Sequence, residues 1–208
     1  MNSHKTRLRA LVGAALFALC LMAVGAAGAQ AAKVKITGGT TTITPSAATT
    51  QFLTTNGISV TPIAPATASN GVLTLPIKGG RIDPVTLRGF VTHRGGVKFS
   101  KGTNSLSLRH FLITSTKRGA FLNATTPVRR CRAFRARRGH RRGRVCFTGA
   151  EGVRVARLSN VVRNSDNSVT ANLLLSSRAA RFINKVAGSQ VVSAGANFGT
   201  AKIVATTA

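Results

Sequence analysis

The chain has no tryptophan and no tyrosine, and only three acidic residues and three cysteines among its 208 residues. Each shortage removes a class of function. With Asp83, Glu151 and Asp166 as the sole acidic side chains, the paired carboxylates of a glycosidase are nearly ruled out. The histidines, His4, His93, His110 and His140, are widely spaced, and neither G-x-S-x-G nor H-E-x-x-H occurs. A Ser/His/Asp set assembled by folding would leave no local trace, but nothing in the sequence calls for one, and a non-catalytic protein is expected. The scarcity of aromatic residues also removes the stacking platforms of single-strand nucleic-acid binders. No specific nucleic-acid recognition is expected.

What is present begins with an export signal. Lys5, Arg7 and Arg9 precede the apolar run LVGAALFALCLMAVGAAGA, and Ala29-Gln30-Ala31 supplies the small-x-small pattern of a signal-peptidase site. Residues 1–31 are therefore read as a signal peptide rather than a membrane anchor, and residues 32–208 as a single domain. No later apolar run is long enough to span a bilayer, so no transmembrane segment is expected after cleavage. Cys20 follows Phe17-Ala18-Leu19, which lacks the small residue that a lipoprotein signal places before its cysteine. Two cysteines then remain, Cys131 and Cys146, and an even pair in an exported chain reads as one disulfide. The expected location is secreted or associated with the cell wall.

Thr, Ser, Val, Ala and Gly dominate residues 32–208, with apolar residues alternating in short runs between turn signals, the pattern of antiparallel β-structure. Leu73, Leu75 and Ile77 share one face of GVLTLPIKGG. Val85, Leu87 and Val91 alternate through DPVTLRGFVTHRGG, and Leu106, Leu108 and Leu112 through NSLSLRHFLITS. TKRG reads as a hairpin turn. Val153 and Val155 open a further run, and SVTANLLL and AKIVATT supply more strands. Two segments carry helical spacing instead. Ser46 caps a short helix with Ala48, Phe52 and Leu53 inward and Gly57 as its stop. Ala179, Phe182, Ile183 and Val186 follow the i, i+3, i+4, i+7 rule up to Gly188. Each helix leads into a valine-containing segment, ISV and SQVV, as if one unit were echoed near the two ends. The predicted fold is a mainly β, antiparallel β-sandwich whose open ends are plugged by two short helices.

The run VLTLPIKGGRIDPVTLRGFVTHRGGVKFSKGTNSLSLRHFLI, within residues 72–113, resembles the centre of the HtaA-type domain of secreted actinobacterial proteins. The shared pattern is an apolar-Pro strand, a Gly turn, a strand ending near His-x-Gly and an alternating strand of leucines. FTGAEGVRVARLSN and ARFINKVAGSQVVSAGANFG are compatible with the same layout, so a looser likeness covers most of residues 32–208. The resemblance implies a cell-surface binding domain with haem as cofactor, held by an axial tyrosine that a histidine supports. The histidine position matches His93. The tyrosine has no counterpart in a chain without tyrosine.

His93 is in phase with Val85, Leu87 and Val91, and His110 with Leu106, Leu108 and Leu112, so both are expected on an apolar face. There they either hold an iron or another metal between neighbouring strands or are hydrogen-bonded histidines at the edge of the core, the commoner arrangement. A bulge at Gly95-Gly96 would turn a neighbour outward. Cys131, His140 and Cys146, separated by eight and five residues, match no standard zinc motif, and no metal site is expected.

The segment 129–146 is the other concentration of chemistry. It holds Arg129, Arg130, Arg132, Arg135, Arg137, Arg138, Arg141, Arg142 and Arg144, nine of the 30 basic residues. It reads as an arginine-rich loop closed by the Cys131–Cys146 disulfide. Guanidinium groups bind phosphate and carboxylate bidentately, so teichoic acid, acidic polysaccharide and other phosphate-bearing polymers of the cell envelope are the partners this loop implies. Three basic residues lie before Ala32, leaving 27 against three acids, a net charge of +24. Removing residues 129–144 would still leave +15, so the loop concentrates a charge that is general. Two function classes follow: a haem or small-ligand binding module using His93 and His110, and a cationic envelope protein binding anionic polymers.

Overall fold

The computed structural model describes residues 32–135 and 142–208, and the signal-peptide expectation lies outside them. Eleven strands occur among the described residues: β1 (Val34–Pro45), β2 (Ser59–Ile63), β3 (Thr67–Ser69), β4 (Val72–Ile82), β5 (Gly89–His93), β6 (Gly96–Lys101), β7 (Asn104–Thr116), β8 (Gly119–Arg135), β9 (Arg142–Arg163), β10 (Val169–Leu175) and β11 (Asn197–Thr207). Helix α1 (Ala47–Thr55) follows β1, and α2 (Ser177–Ala187) follows β10. Every pairing is antiparallel.

The sheet closes on itself, which corrects the sandwich expectation. Strands β7-β5-β4-β1-β11-β10-β9-β8 form an eight-strand ring, because β7 pairs with β5 along one edge and with β8 along the other. The remaining strands extend it: β6 pairs with the first half of β7, β2 with β6, and β3 with β4. Alternation could not separate the two architectures, since a sandwich and a barrel each bury one face of every strand. Closure also leaves no free edge around the ring.

The inward residues fill the barrel with aliphatic side chains of modest size. Ile36, Ile43, Leu73, Leu75, Ile77, Val91, Leu122, Leu158, Leu173 and Ile203 are all buried. Tight curvature demands close backbone approach, and glycine supplies it. Gly39 has φ +112°, and a Cβ there would sit 2.1 Å from the Val204 carbonyl oxygen on the neighbouring strand. Gly39→Ala is expected to cost about 2 kcal/mol, read as a lower denaturant midpoint. An unchanged midpoint would contradict this packing.

Bulges reset the alternation at several points, and these are where sequence phase and structure part. Register shifts lie between Ile36 and Gly38 on β1, between Arg109 and Leu112 on β7, and opposite Leu122/Asn123 on β9. Val85 is 78 % exposed, because Asp83–Arg88 is a turn and not the start of β5. In that turn Asp83 Oδ1 accepts hydrogen bonds from the backbone N–H groups of Val85 (2.9 Å) and Thr86 (3.1 Å). TKRG is the hairpin turn expected, with Thr116 paired to Gly119.

Both helices are capped by serine at their N-termini, Ser46 as expected and Ser176 in addition. Ser46 Oγ accepts from the Thr49 N–H at 3.2 Å, and Ser176 Oγ from the Ala179 N–H at 3.0 Å. Gly188 ends α2 in the left-handed conformation, φ +77°. The buried face of α2 is Ala179, Ala180, Ile183, Val186 and Ala187, with Phe182 half-buried. On α1, Thr49 is buried and Ala48 exposed, the reverse of expectation for Ala48. The helices do not close opposite ends. Phe52 of α1 and Leu175, Ala179 and Ile183 beside α2 belong to one apolar cluster, so both cap the same mouth. The echo is also incomplete. ISV continues into β2, whereas Val191 and Val192 are held by the Asn184 side chain: their N–H groups donate to its Oδ1, and its amide donates to the Val192 carbonyl.

Candidate functional site

Among the described residues His93 is the one buried histidine, 3 % exposed at the end of β5. Its Nδ1 lies 3.1 Å from the Phe111 carbonyl oxygen, which can only accept, so Nδ1 carries the proton and donates it. Nε2 is then the acceptor for the Thr41 hydroxyl at 2.7 Å, and Thr41 is itself 1 % exposed. Burial pushes the His93 pKa below its ordinary value of 6.5, opposed in part by the bond to Phe111. The ring is therefore neutral at pH 7. Its one lone pair is taken by Thr41, and its one proton by Phe111.

That arrangement does not fit an iron ligand. Coordination would need the Nε2 lone pair freed from Thr41 inside a packed wall, and no tyrosine exists to supply a phenolate. His110 does not join it. The bulge on β7 gives His110 a φ of +50° and turns it outward, where Nδ1 meets Thr125 Oγ1 at 3.1 Å. Phe111 takes the inward place. The anticipated flip thus falls on β7 at the residues facing Gly95-Gly96: Gly96 pairs with Arg109, and the His110 N–H donates to the Gly95 carbonyl. Among the described residues no group of three His, Cys, Asp or Glu side chains could hold a metal ion.

A cavity of about 330 Å³ opens instead at the helix-capped mouth. Its walls are apolar: Leu53 of α1, Phe182 and Ile183 of α2, and Ile43, Phe99, Leu108, Phe111 and Leu173 from the strands are among them. Polar side chains enter only as Thr50, Thr54 and Asn70, and no titratable residue lines it. The Phe111 side chain forms part of this wall while its carbonyl anchors His93, so His93 supports the cavity without reaching it. Such a space recognises shape and apolar surface. It offers nothing to hold a metal and nothing to move a proton. Small residues create it: Ala68, Ala156 and Ala179 stand where larger side chains would fill the space. The sequence signal for it was the absence of Trp and Tyr.

The arginine segment is not a loop over most of its length. Arg129 and Arg130 are exposed on β8, and Arg132, Arg135, Arg142 and Arg144 lie on the paired arms of β8 and β9, down to Arg135 opposite Arg142. Arg137, Arg138, Arg141 and His140 lie outside the described residues. Cys131 and Cys146 face each other directly in the ladder and form the disulfide, with Cα atoms 4.0 Å apart. β8 leaves β7 beyond Thr125, and β9 meets β10 only from Ala156 onward, so the arms form a two-stranded ribbon paired only with each other. The three acids do not offset its charge. Glu151 pairs with Arg178, Asp166 with Lys202 at 3.1 Å, and Asp83 turns onto its own backbone.

No family model matches the chain, and no curated protein matches it. Among solved structures, the described barrel is similar to the C-terminal domain of HtaA from Corynebacterium glutamicum, with a TM-score of 0.59 and 13 % sequence identity. The match covers 84 % of this chain and 99 % of that one. The fold is HtaA-like. At this identity the likeness speaks for the fold, and it extends the resemblance first seen at residues 72–113 to nearly the whole domain. Among the described residues no helix is long and apolar enough to cross a membrane.

Proposed function

We propose that this chain is a non-catalytic, HtaA-like binding domain working outside the cytoplasm, and that it takes a small apolar molecule in the cavity beneath its two helices. The observation that carries this reading is the cavity itself, about 330 Å³ and walled almost entirely by apolar side chains. The disulfide supports an oxidising compartment. Haem held through iron does not fit the residues present, so the HtaA-like barrel here is read as a scaffold turned to a ligand recognised by shape.

The reading is tested with an uncharged fluorescent probe such as Nile red. Thr54 and Ala68 line the mouth and are exposed, so bulk placed there should narrow the entrance without disturbing the core. If Thr54→Trp with Ala68→Trp denies the probe about 80 Å² of apolar contact, binding weakens by about 2 kcal/mol, about thirtyfold. Equal affinity in the wild type and the double variant would refute the assignment.

A second reading is favoured by one observation, the arginine ribbon with its arms held side by side by Cys131–Cys146. Holding the guanidinium-bearing strands together lowers the ordering cost when a polyanion binds. The proposed partners are the phosphate- or carboxylate-bearing polymers of the cell envelope. Retention on immobilised polyphosphate should fall steeply with salt, and removal of residues 129–146 should weaken it while leaving part, because the rest of the domain stays cationic. Salt-independent retention would exclude this reading.

A further inference from the structure

The barrel has a second mouth, which differs from the first in carrying a charged side chain. A cavity of about 370 Å³ runs inward from Val34, Pro84, Leu87, Phe90 and Val161 to a floor that includes Ile36, Val91, Ile113, Leu158 and Ile203. All five floor residues are buried. Among the lining residues one side chain is charged, Arg163 at the end of β9. Among the described residues neither a histidine nor a ribbon residue lines this space.

Arg163 is held in place. Nη1 donates to the Pro84 carbonyl oxygen at 2.9 Å, and Nη2 to Asn167 Oδ1 at 2.9 Å. Pro84 and Asn167 both line the cavity, so the guanidinium bridges two sides of its rim. These bonds use two of five N–H groups and leave three. No carboxylate pairs with Arg163 among the described residues. The acid of the neighbouring turn, Asp83, is committed to the Val85 and Thr86 amides.

The rim also carries apolar surface that folding has not covered. Phe90 is 44 % and Val161 41 % exposed, and both line the cavity. Two of the eight large apolar residues exposed among the described residues thus lie at this opening, and exposed apolar surface at a cavity mouth is the kind that marks a binding site. An apolar shaft, an apolar rim and one fixed cation together have a specific complement.

We propose that this second cavity binds a single-chain anionic amphiphile, with its alkyl chain in the shaft and its carboxylate or phosphate head on Arg163. A guanidinium fork donates bidentately to either head. The inference is independent of the ligand assigned to the helix-capped cavity.

The test compares dodecanoate, dodecyl phosphate and uncharged dodecanol, each below its micelle-forming concentration, by calorimetric titration of the purified protein. At least one of the two anions is expected to bind about tenfold or more tightly than dodecanol. Arg163→Gln should remove that advantage and leave dodecanol unchanged, while Arg163→Lys, which keeps the charge, should retain part of it. Ala205→Phe, which fills the shaft from β11, should abolish binding of all three. Thermal melts of each variant separate loss of binding from loss of fold, and Arg163→Lys keeps the test open if Arg163→Gln unfolds. Three results would overturn the proposal: no binding by either anion, affinities equal to that of dodecanol, or an anion preference untouched by Arg163→Gln. Loss of dodecanoate binding in the Thr54→Trp, Ala68→Trp variant with normal binding in Ala205→Phe would place the amphiphile at the other mouth. That outcome overturns this inference and leaves the helix-capped reading standing.

Discussion

Replacing His93 by alanine is expected to destabilise the domain by about 4 kcal/mol, a large loss for a single side chain. The substitution strands two buried groups at once, the Phe111 carbonyl and the Thr41 hydroxyl, each costing about 1–3 kcal/mol when left without a partner. It also opens a hole in a packed wall. Urea unfolding of the two proteins measures the difference, and a change below about 1 kcal/mol would mean that His93 is not the bolt described here. The same histidine sets a pH dependence. Burial lowers its folded pKa below 6.5, so as pH falls through 6.5 the unfolded chain takes up the proton first. Stability is therefore full above that value and declines below it, by at most about 1.4 kcal/mol per pH unit, until the lowered folded pKa is reached. Asp83 and Asp166 also have lowered values, the latter to about 2, from an ordinary 3.8. Their contribution is present above 3.8 and lost only at more acidic pH, so a series between pH 5 and 8 isolates the histidine. His93→Ala should flatten its share of that slope.

Reduction of Cys131–Cys146 is expected to loosen the ribbon and spare the barrel. The bond joins residues fifteen apart in sequence, and a link of that span contributes about 3 kcal/mol. An isolated two-stranded ribbon is at best marginally stable, so that contribution is local. Amide exchange in residues 126–131 and 146–150 should accelerate on the order of hundredfold after reduction. Amides of Leu75 and Leu173, both buried in the barrel, should keep their rates. Uniform acceleration across both regions would show that the ribbon and barrel unfold as one unit.

How far the sequence could be read depended on where the chain keeps regular phase. Leu73, Leu75 and Ile77 alternate without interruption, and all three are buried as expected. The cap at Ser46 was legible because a hydroxyl just before a helix has one obvious use, whereas the equivalent cap at Ser176 was not read. His110 was not, because a bulge inserts a residue that periodicity cannot see, and the phase of Leu106 and Leu108 passes to Phe111 and Ile113. Barrel closure was hidden for a related reason. It depends on β7 being paired along both edges, a long-range register that leaves no mark in local alternation.

The ribbon and the cavities were illegible on different grounds. Arginine and glycine read as loop, yet Cys131 and Cys146 face each other because the arms around them are paired strands, and the ladder supplies what local propensity does not. The cavities arise from what the chain omits. With no Trp or Tyr, and with alanine at positions such as Ala156 and Ala179, the barrel is closed before it is filled. A sequence displays the residues that line a space and never the space.

The proposal that this HtaA-like barrel binds without coordinating iron rests on a buried histidine whose two ring nitrogens are engaged by Thr41 and Phe111. Titration of ferric haemin into the purified protein, followed in the Soret region, tests this most directly. No spectrum of protein-ligated iron is expected in the wild type, whose Nε2 lone pair is held by the Thr41 hydroxyl. A ligated Soret band in the wild type that disappears on substitution of His93 would contradict it.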